Sequence, residues 1–238
     1  MATLIITRPL QQSQALQVEL EQRHFKTLSF PLISVTPLAS KMPIDSADKV
    51  IAISPNAVRF AEKLLLNLPR QKAEKLLATP LLAIGESSAL TARSHGWKHV
   101  DYSTFANSEA LLTHPALNNV AGQRIMLLCG EGGRDTIQTA LQAKGASVVR
   151  WEVYQRHPKL LTEQQRAILA KSEQPVYWIV SSQVAIDALV DSTDQKLIVT
   201  SERLANYAQT LGFSVALTLS SAESKSIAKQ LEHLKNKL

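Results

Sequence analysis

One cysteine in 238 residues, Cys129, excludes an internal disulfide, and its place directly after the apolar run Ile125 to Leu128 reads as a buried thiol in a reducing compartment rather than a nucleophile. No apolar stretch approaches the roughly 20 residues of a membrane-spanning helix. The chain opens on a strand pattern, Thr3 to Ile6, with no basic segment leading into an apolar signal core, which points to a cytoplasmic protein. Histidines are few. His95 and His99 stand four apart, but Gly96 interrupts the helix that would align them and no carboxylate or cysteine completes a ligand set, so no metal is expected. His24, His114, His157 and His233 are scattered, and none sits in a nucleophile-elbow sequence, which leaves acyl transfer without support. Zinc-finger spacing and aromatic RNA-binding signatures are absent too. Nucleic-acid binding would rest on the net charge of +6 alone, and Lys225, Lys229, Lys235 and Lys237 of that excess lie in one C-terminal helix pattern whose plain reading is a solvated face. An acidic partner is favoured without its class being set.

What is present is alternation. Four times a short β-branched strand pattern runs into a turn of small polar residues and then a helical pattern: Ile51 to Ile53 into Ser54-Pro55-Asn56, Leu82 to Ile84 into Gly85-Glu86-Ser87-Ser88, Trp178 to Val180 into Ser181-Ser182-Gln183, and Leu197 to Val199 into Thr200-Ser201-Glu202. Exposed amides at a helix N-terminus beside short hydroxyls form an anion site without a charged side chain, so several such termini suit a polyanion. Across the chain, strands near 3–6, 27–30, 50–53, 81–84, 99–102, 124–128, 147–153, 176–180, 197–200 and 215–219 alternate with helical patterns, which predicts parallel sheets with helices on both faces. Pro31 and Pro37 bracket an extended segment, and a second lies near Val153 to Pro158. Both are candidate domain crossings. A repeat is visible at an offset of 116 positions, where Gly96-Trp97 matches Gly212-Phe213, Gly85 falls opposite Ser201 and Ala89 opposite Ala205; the helix from Gln11 likewise resembles the one from Thr136.

Individual motifs carry less. Gly130-Glu131-Gly132-Gly133-Arg134-Asp135 follows a strand and opens a helix, yet Asp135 stands where a dinucleotide fingerprint needs glycine and no P-loop lysine follows, so a flexible turn with Asp135 near the N-cap is the plain reading. Arg134 could still meet a carboxylate there. Thr7-Arg8-Pro9 ends the first strand at the ligand-facing edge of a parallel sheet, making Arg8 a candidate anion contact. Tyr154 closes the strand before the second crossing; a phenol, protonated at neutral pH, can donate to a leaving oxygen, although packing is the commoner role of such a tyrosine.

Taken in order, Ile5-Ile6-Thr7-Arg8-Pro9, Phe30-Pro31-Leu32, Ile53-Ser54-Pro55-Asn56-Ala57-Val58, Ala83-Ile84-Gly85, Asn107-Ser108-Glu109-Ala110-Leu111-Leu112 and Val153-Tyr154-Gln155 make the whole chain resemble the uroporphyrinogen-III synthase family. That resemblance implies an α/β fold of two flavodoxin-like domains with parallel sheets flanked by helices, joined by a two-stranded connector. Residues 1–35 with 158–238 would form one discontinuous domain and 38–153 the other, with connectors near 32–37 and 153–158. It implies a cofactor-free, metal-free lyase that cyclises linear hydroxymethylbilane, an octacarboxylate, with loss of water and inversion of its last ring. The expected partner is that substrate, delivered by the preceding synthase, with neither nucleic acid nor membrane involved, and the expected state is a monomer. Tyr154 would assist departure of the hydroxyl. Thr7, Arg8, Ser54, Pro55, Asn56, Gly85, Ser87, Ser88, Ser108, Arg134, Ser181, Ser182, Ser201 and Arg203 would hold substrate; Ser201-Glu202-Arg203-Leu204 lacks the glycine and hydroxyl pair of Gly85-Glu86-Ser87-Ser88, so the site there is expected to be narrower or to depend on Arg203. A non-enzymatic two-domain protein that closes on a small anion would use the same helix termini.

Overall fold

A computed structural model describes residues 2–133 and 135–234 and shows strands and helices in near-strict alternation. By contact the chain divides into two compact units, a split unit of residues 1–34 with 156–238 and an inserted unit of residues 35–155. The split unit begins with β1 (Thr3–Ile6), α1 (Leu10–Glu21) and β2 (Lys26–Ser29), and β3 (Ile33–Pro37) leads out of it. The inserted unit contains β4 (Lys49–Ala52), α2 (Pro55–Leu65), α3 (Arg70–Leu77), β5 (Leu81–Ala83), α4 (Glu86–Ser94), β6 (Val100–Tyr102), α5 (Ser108–Leu112), a 3-10 turn (Pro115–Leu117), β7 (Arg124–Gly130) and α6 (Thr136–Ala143). The chain returns along β8 (Ser147–Pro158) and completes the split unit with α7 (Glu163–Ala170), β9 (Val176–Val180), α8 (Gln183–Asp187), β10 (Lys196–Val199), α9 (Glu202–Thr210), β11 (Ser214–Thr218) and α10 (Ser224–His233).

The split unit holds a parallel sheet ordered β2-β1-β9-β10-β11. In the inserted unit the order is β8-β7-β4-β5-β6, also parallel, with β3 added beside β8. Matching β7 and β8 to β1 and β2, and β4, β5 and β6 to β9, β10 and β11, makes the two orders identical; both are the flavodoxin-like 2-1-3-4-5 arrangement, with the inserted unit circularly permuted. The repeat extends to the turns. Gly96 (φ +86°) and Gly212 (φ +85°) end α4 and α9 in the left-handed region, where only glycine is free of strain. The following residues close the same bond, Trp97 N–H to the Ala92 carbonyl at 3.2 Å and Phe213 N–H to the Ala208 carbonyl at 3.1 Å. After α1 and α6, Phe25 N–H and Ala146 N–H reach the Leu20 and Leu141 carbonyls, each at 3.1 Å.

Strands buried on both faces explain why they read as unbroken apolar runs. In the inserted unit Val50, Ala52, Leu81, Ala83, Met126 and Leu128 meet α2 and α4, while Ile51, Leu82, Ile125 and Leu127 face the opposite core with Ile137 and Leu141 of α6. In the split unit Ile5, Trp178, Leu197 and Val199 point one way, and Leu4, Ile6, Tyr177, Ile179 and Ile198 the other. Burial of each such side chain is worth about 1.5–3 kcal/mol. Burial on both faces fixes where these strands end, and the C-terminal ends are where a parallel α/β sheet presents its binding loops.

Candidate functional site

The C-terminal edge of the inserted sheet assembles most of the residues singled out in the sequence. Ser54 follows β4 in an extended conformation (φ −168°, ψ 157°), and its Oγ accepts the Ala57 N–H at 3.0 Å as the N-cap of α2. Pro55 occupies the first turn, where its missing N–H costs nothing. With Ala57 satisfied by Ser54, the Asn56 N–H is the amide left open to a ligand, while the Asn56 carboxamide oxygen accepts from Arg59 at 3.3 Å.

α4 is built differently. Its N-cap is Gly85 (φ +83°) and no side chain caps it, so the amides of Glu86, Ser87 and Ser88 lie at an uncapped helix N-terminus. Ser87 and Ser88, read from sequence as turn residues, are inside the first helical turn. Ser87 is exposed, whereas Ser88 is buried with its hydroxyl turned back to the Ile84 carbonyl at 3.4 Å. Ser88 therefore contributes an amide and not a hydroxyl. After β6 the cap is Asn107, which accepts the Ala110 N–H at 2.7 Å, and Ser108 is the first residue of α5. With five residues that helix has a small dipole. Arg134 lies outside the described residues. The neighbouring Asp135 precedes α6 without capping it and pairs with Arg150 at 3.1 Å; Arg150 also holds Glu152 at 2.9 Å.

Tyr154 sits behind this edge, 1% exposed. Pairing of β7 with β8 shifts from Cys129 opposite Glu152 to Gly130 opposite Tyr154, a bulge that turns Tyr154 into the core already occupied by Trp151 and Val153. Its ring lies on Gly130, where a Cβ would come within 2.6 Å of Cε2 and Cζ, and stacks on Phe60 with centroids 5.7 Å apart. The hydroxyl is 3.2 Å from Ser54 Oγ. Ser54 is half-buried, so of the pair it is the member that reaches the surface. Sequence reading missed Phe60 and the true use of Gly130: a glycine under an aromatic ring has no local signal, and the glycine-rich run around it suggested a phosphate loop instead.

The corresponding edge of the split unit is more closed. Thr7 is fully buried and its Oγ1 donates to the Ile179 carbonyl at 2.8 Å, so the hydroxyl serves the sheet. Arg8 is 5% exposed, donates through Nη2 to the Ala222 carbonyl, and has a buried Nε with no hydrogen-bond partner among the described residues. Burial holds its pKa down to about 10, still charged at neutral pH. Ser182, not Ser181, caps α8, accepting the Ala185 N–H at 3.3 Å, but α8 has only five residues. Ser201 caps α9 through the Leu204 N–H at 3.4 Å, which uses the hydroxyl, and Arg203 is exposed on the first turn. Among the described residues no group of three His, Cys, Asp or Glu is placed to hold a metal ion.

The family model described as Uroporphyrinogen-III synthase HemD matches residues 14–229. Among curated relatives, the uroporphyrinogen-III synthase of Salmonella typhimurium is 30% identical over 97% of this chain and 100% of its own length, and that of Escherichia coli K12 is 28% identical over the same shares. The crystal structure of uroporphyrinogen-III synthetase from Helicobacter pylori superimposes with a TM-score of 0.67 at 18% identity, covering 97% of this chain and 100% of that one. A Thermus thermophilus uroporphyrinogen III synthase mutant gives 0.54 at 15% identity, with both chains fully covered.

Proposed function

The chain belongs to the uroporphyrinogen-III synthase family, and on that premise we propose how its residues carry out the reaction. It is a cyclising lyase: linear hydroxymethylbilane loses water and closes with its last ring inverted, giving uroporphyrinogen III in tetrapyrrole biosynthesis. No observation favours the alternative of an anion-binding protein without chemistry.

The site lies at the C-terminal edge of the inserted sheet, where β4 and β5 pair and the Ser54–Tyr154 hydroxyl pair and the uncapped start of α4 follow neighbouring strand ends. Amides of Asn56, Glu86, Ser87 and Ser88 take substrate carboxylates there; in the split unit, taken by itself, the Arg8 guanidinium and the open amides at the start of α9 beside Arg203 are of the same anion-binding chemistry, the Ser182 and Ser201 hydroxyls being used as caps. Holding the reacting ends of a flexible chain in one arrangement is worth on the order of 7–11 kcal/mol. This is what selects inverted closure.

Tyr154 assists departure of the hydroxyl through Ser54. Ser54 Oγ accepts the Ala57 N–H and, when Tyr154 donates to it, its own proton is free to point outward. As the C–O bond breaks, the leaving oxygen takes the electron pair and the Ser54 proton, and Tyr154 resupplies Ser54. The proton released when the attacking pyrrole carbon regains aromaticity returns to the pair, so water is the net by-product. We further propose that the protein works as a cytoplasmic monomer supplied by the preceding synthase; among the described residues no helix is long and apolar enough to cross a membrane.

Titration of 15N-labelled protein with uroporphyrinogen III tests the site. Amide protons of Asn56, Ser87 and Ser88 should move downfield as carboxylates bind. Unmoved amides at all three, with saturable binding elsewhere, would remove the inserted edge from the site.

A further inference from the structure

The opposite end of the inserted sheet has a cavity of about 380 Å³, lined by Lys49, Pro80, Leu81, Leu82, His99, Val100, Asp101 and Ala116. We propose that this cavity binds a small organic acid, one carboxylate on an apolar body, with the Lys49 ammonium as its counter-ion. The strand register builds it: Val50 pairs with Leu81 and Leu81 with Val100, so the first residues of β4, β5 and β6 converge, and the turn holding Ala116 closes the side.

Its polar content is sparse. The Val50 and Leu81 amides are already donated to the Pro80 and His99 carbonyls at 2.9 and 2.8 Å, so neither is open to a ligand. Lys49 Nζ donates to the Ala116 carbonyl, and no carboxylate among the described residues pairs with it. One carbonyl satisfies one of an ammonium's three donors and none of its charge. Burial lowers the Lys49 pKa, consistent with a cation lacking its anion. The remaining titratable groups set the specificity. His99 is exposed at the mouth, and Asp101, 69% exposed, stands 3.6 Å from His114 Nε2, so one acidic group already borders the entrance. A single cation beside an acidic rim favours a monoanion over a polycarboxylate, and walls of Pro80, Leu82, Val100 and Ala116 favour an apolar body. A tetrapyrrole precursor with many carboxylates does not fit that description. The cavity is separated from Ser54 by the length of β4, so its occupant need not touch the edge where the chemistry is proposed.

The full-length protein is titrated with 3-phenylpropionate, its neutral amide and citrate, following heat of binding and the 15N resonance of Lys49 Nζ. The carboxylate should bind and shift Lys49, with the amide and citrate at least tenfold weaker. Lys49→Met should abolish carboxylate binding while turnover of hydroxymethylbilane is unchanged, and Val100→Phe, which fills the cavity and keeps the lysine, should do the same. Thermal melts identify a variant that fails to fold, and the Nζ shift in wild type stands independently of both. Equal binding of acid and amide, tighter binding of citrate, or binding that survives both substitutions would overturn the proposal.

Discussion

Gly130→Ala offers a sharp perturbation of the Tyr154 arrangement. An added Cβ would lie 2.6 Å from two carbons of the Tyr154 ring, against the 3.5–4.0 Å of a favourable carbon contact, so the ring must retreat by about 1 Å. Phe60 blocks one direction of that movement. The bond to Ser54, 3.2 Å long, has little slack and would open past hydrogen-bonding range. Overpacking of this kind costs about 1–3 kcal/mol of stability, and misplacing a group by about 1 Å can cost on the order of 100-fold in rate. The assay is turnover of hydroxymethylbilane generated freshly by its own synthase, with product isomers separated and the melting temperature recorded. Turnover should fall to the level of Tyr154→Phe, and the double variant Gly130→Ala/Tyr154→Phe should be no slower than either single one, since both remove the same hydrogen bond. Gly130→Ala turning over at the wild-type rate, with the protein folded, would refute the role given to that hydrogen bond.

Tyr154→Phe alone should slow turnover and leave the isomer and the melting temperature close to wild type; unchanged turnover would remove Tyr154 from the mechanism. Ser54→Ala should cost about 1 kcal/mol of stability from loss of the α2 cap and slow turnover, whereas Ser54→Asn should restore the cap and the melting temperature but not the rate. Arg8→Met should raise substrate KM while stability holds or rises, because the depression of the buried guanidinium pKa to about 10 marks a charge held at a cost, of which one lost hydrogen bond returns part. The sign follows from the direction of that shift: for the wild-type protein this cost is fully present at neutral pH and is relieved only as pH rises through about 10. His24, the one non-glycine residue with positive φ among those described (+60°), ends α1 where Gly145 ends α6, so His24→Gly should raise the melting temperature by about 2–4 °C, corresponding to about 1 kcal/mol.

Much of the fold was legible because both sheets are parallel and buried on two faces. Apolar runs such as Val50 to Ile53 and Val176 to Val180 announce such strands whatever their neighbours. The repeat was legible through Gly96 and Gly212, since a left-handed helix end demands glycine at a fixed place. α3 and α7 are not legible in the sequence, for one shared reason. Arg70 to Leu77 is polar and buries only Leu76, and α7 buries nothing, so neither writes an apolar stripe. For α7 a signal did exist: Thr162 and Gln165 form a capping box.

In the site, the serines that would cap helices were visible from type and position, but the register of the caps was not. Ser182 rather than Ser181, and Asn107 rather than Ser108, hold the caps, since which of two adjacent polar residues turns extended is decided by strand ends set elsewhere in the sheet. Burial was beyond reach as well. Thr7 and Ser88 look like ligand hydroxyls in sequence, yet tertiary packing turns both toward carbonyls of their own unit. The Tyr154 arrangement depends on a bulge, a glycine and Phe60, three features distant in sequence that only folding brings together.

The most direct test is the isomer composition of the ring formed when purified protein meets freshly generated hydroxymethylbilane. Uroporphyrinogen III should dominate, and its share should rise with protein concentration until spontaneous closure is outcompeted. A product mixture identical to that of the unassisted reaction at every protein concentration would show that this chain does not direct how the two ends join.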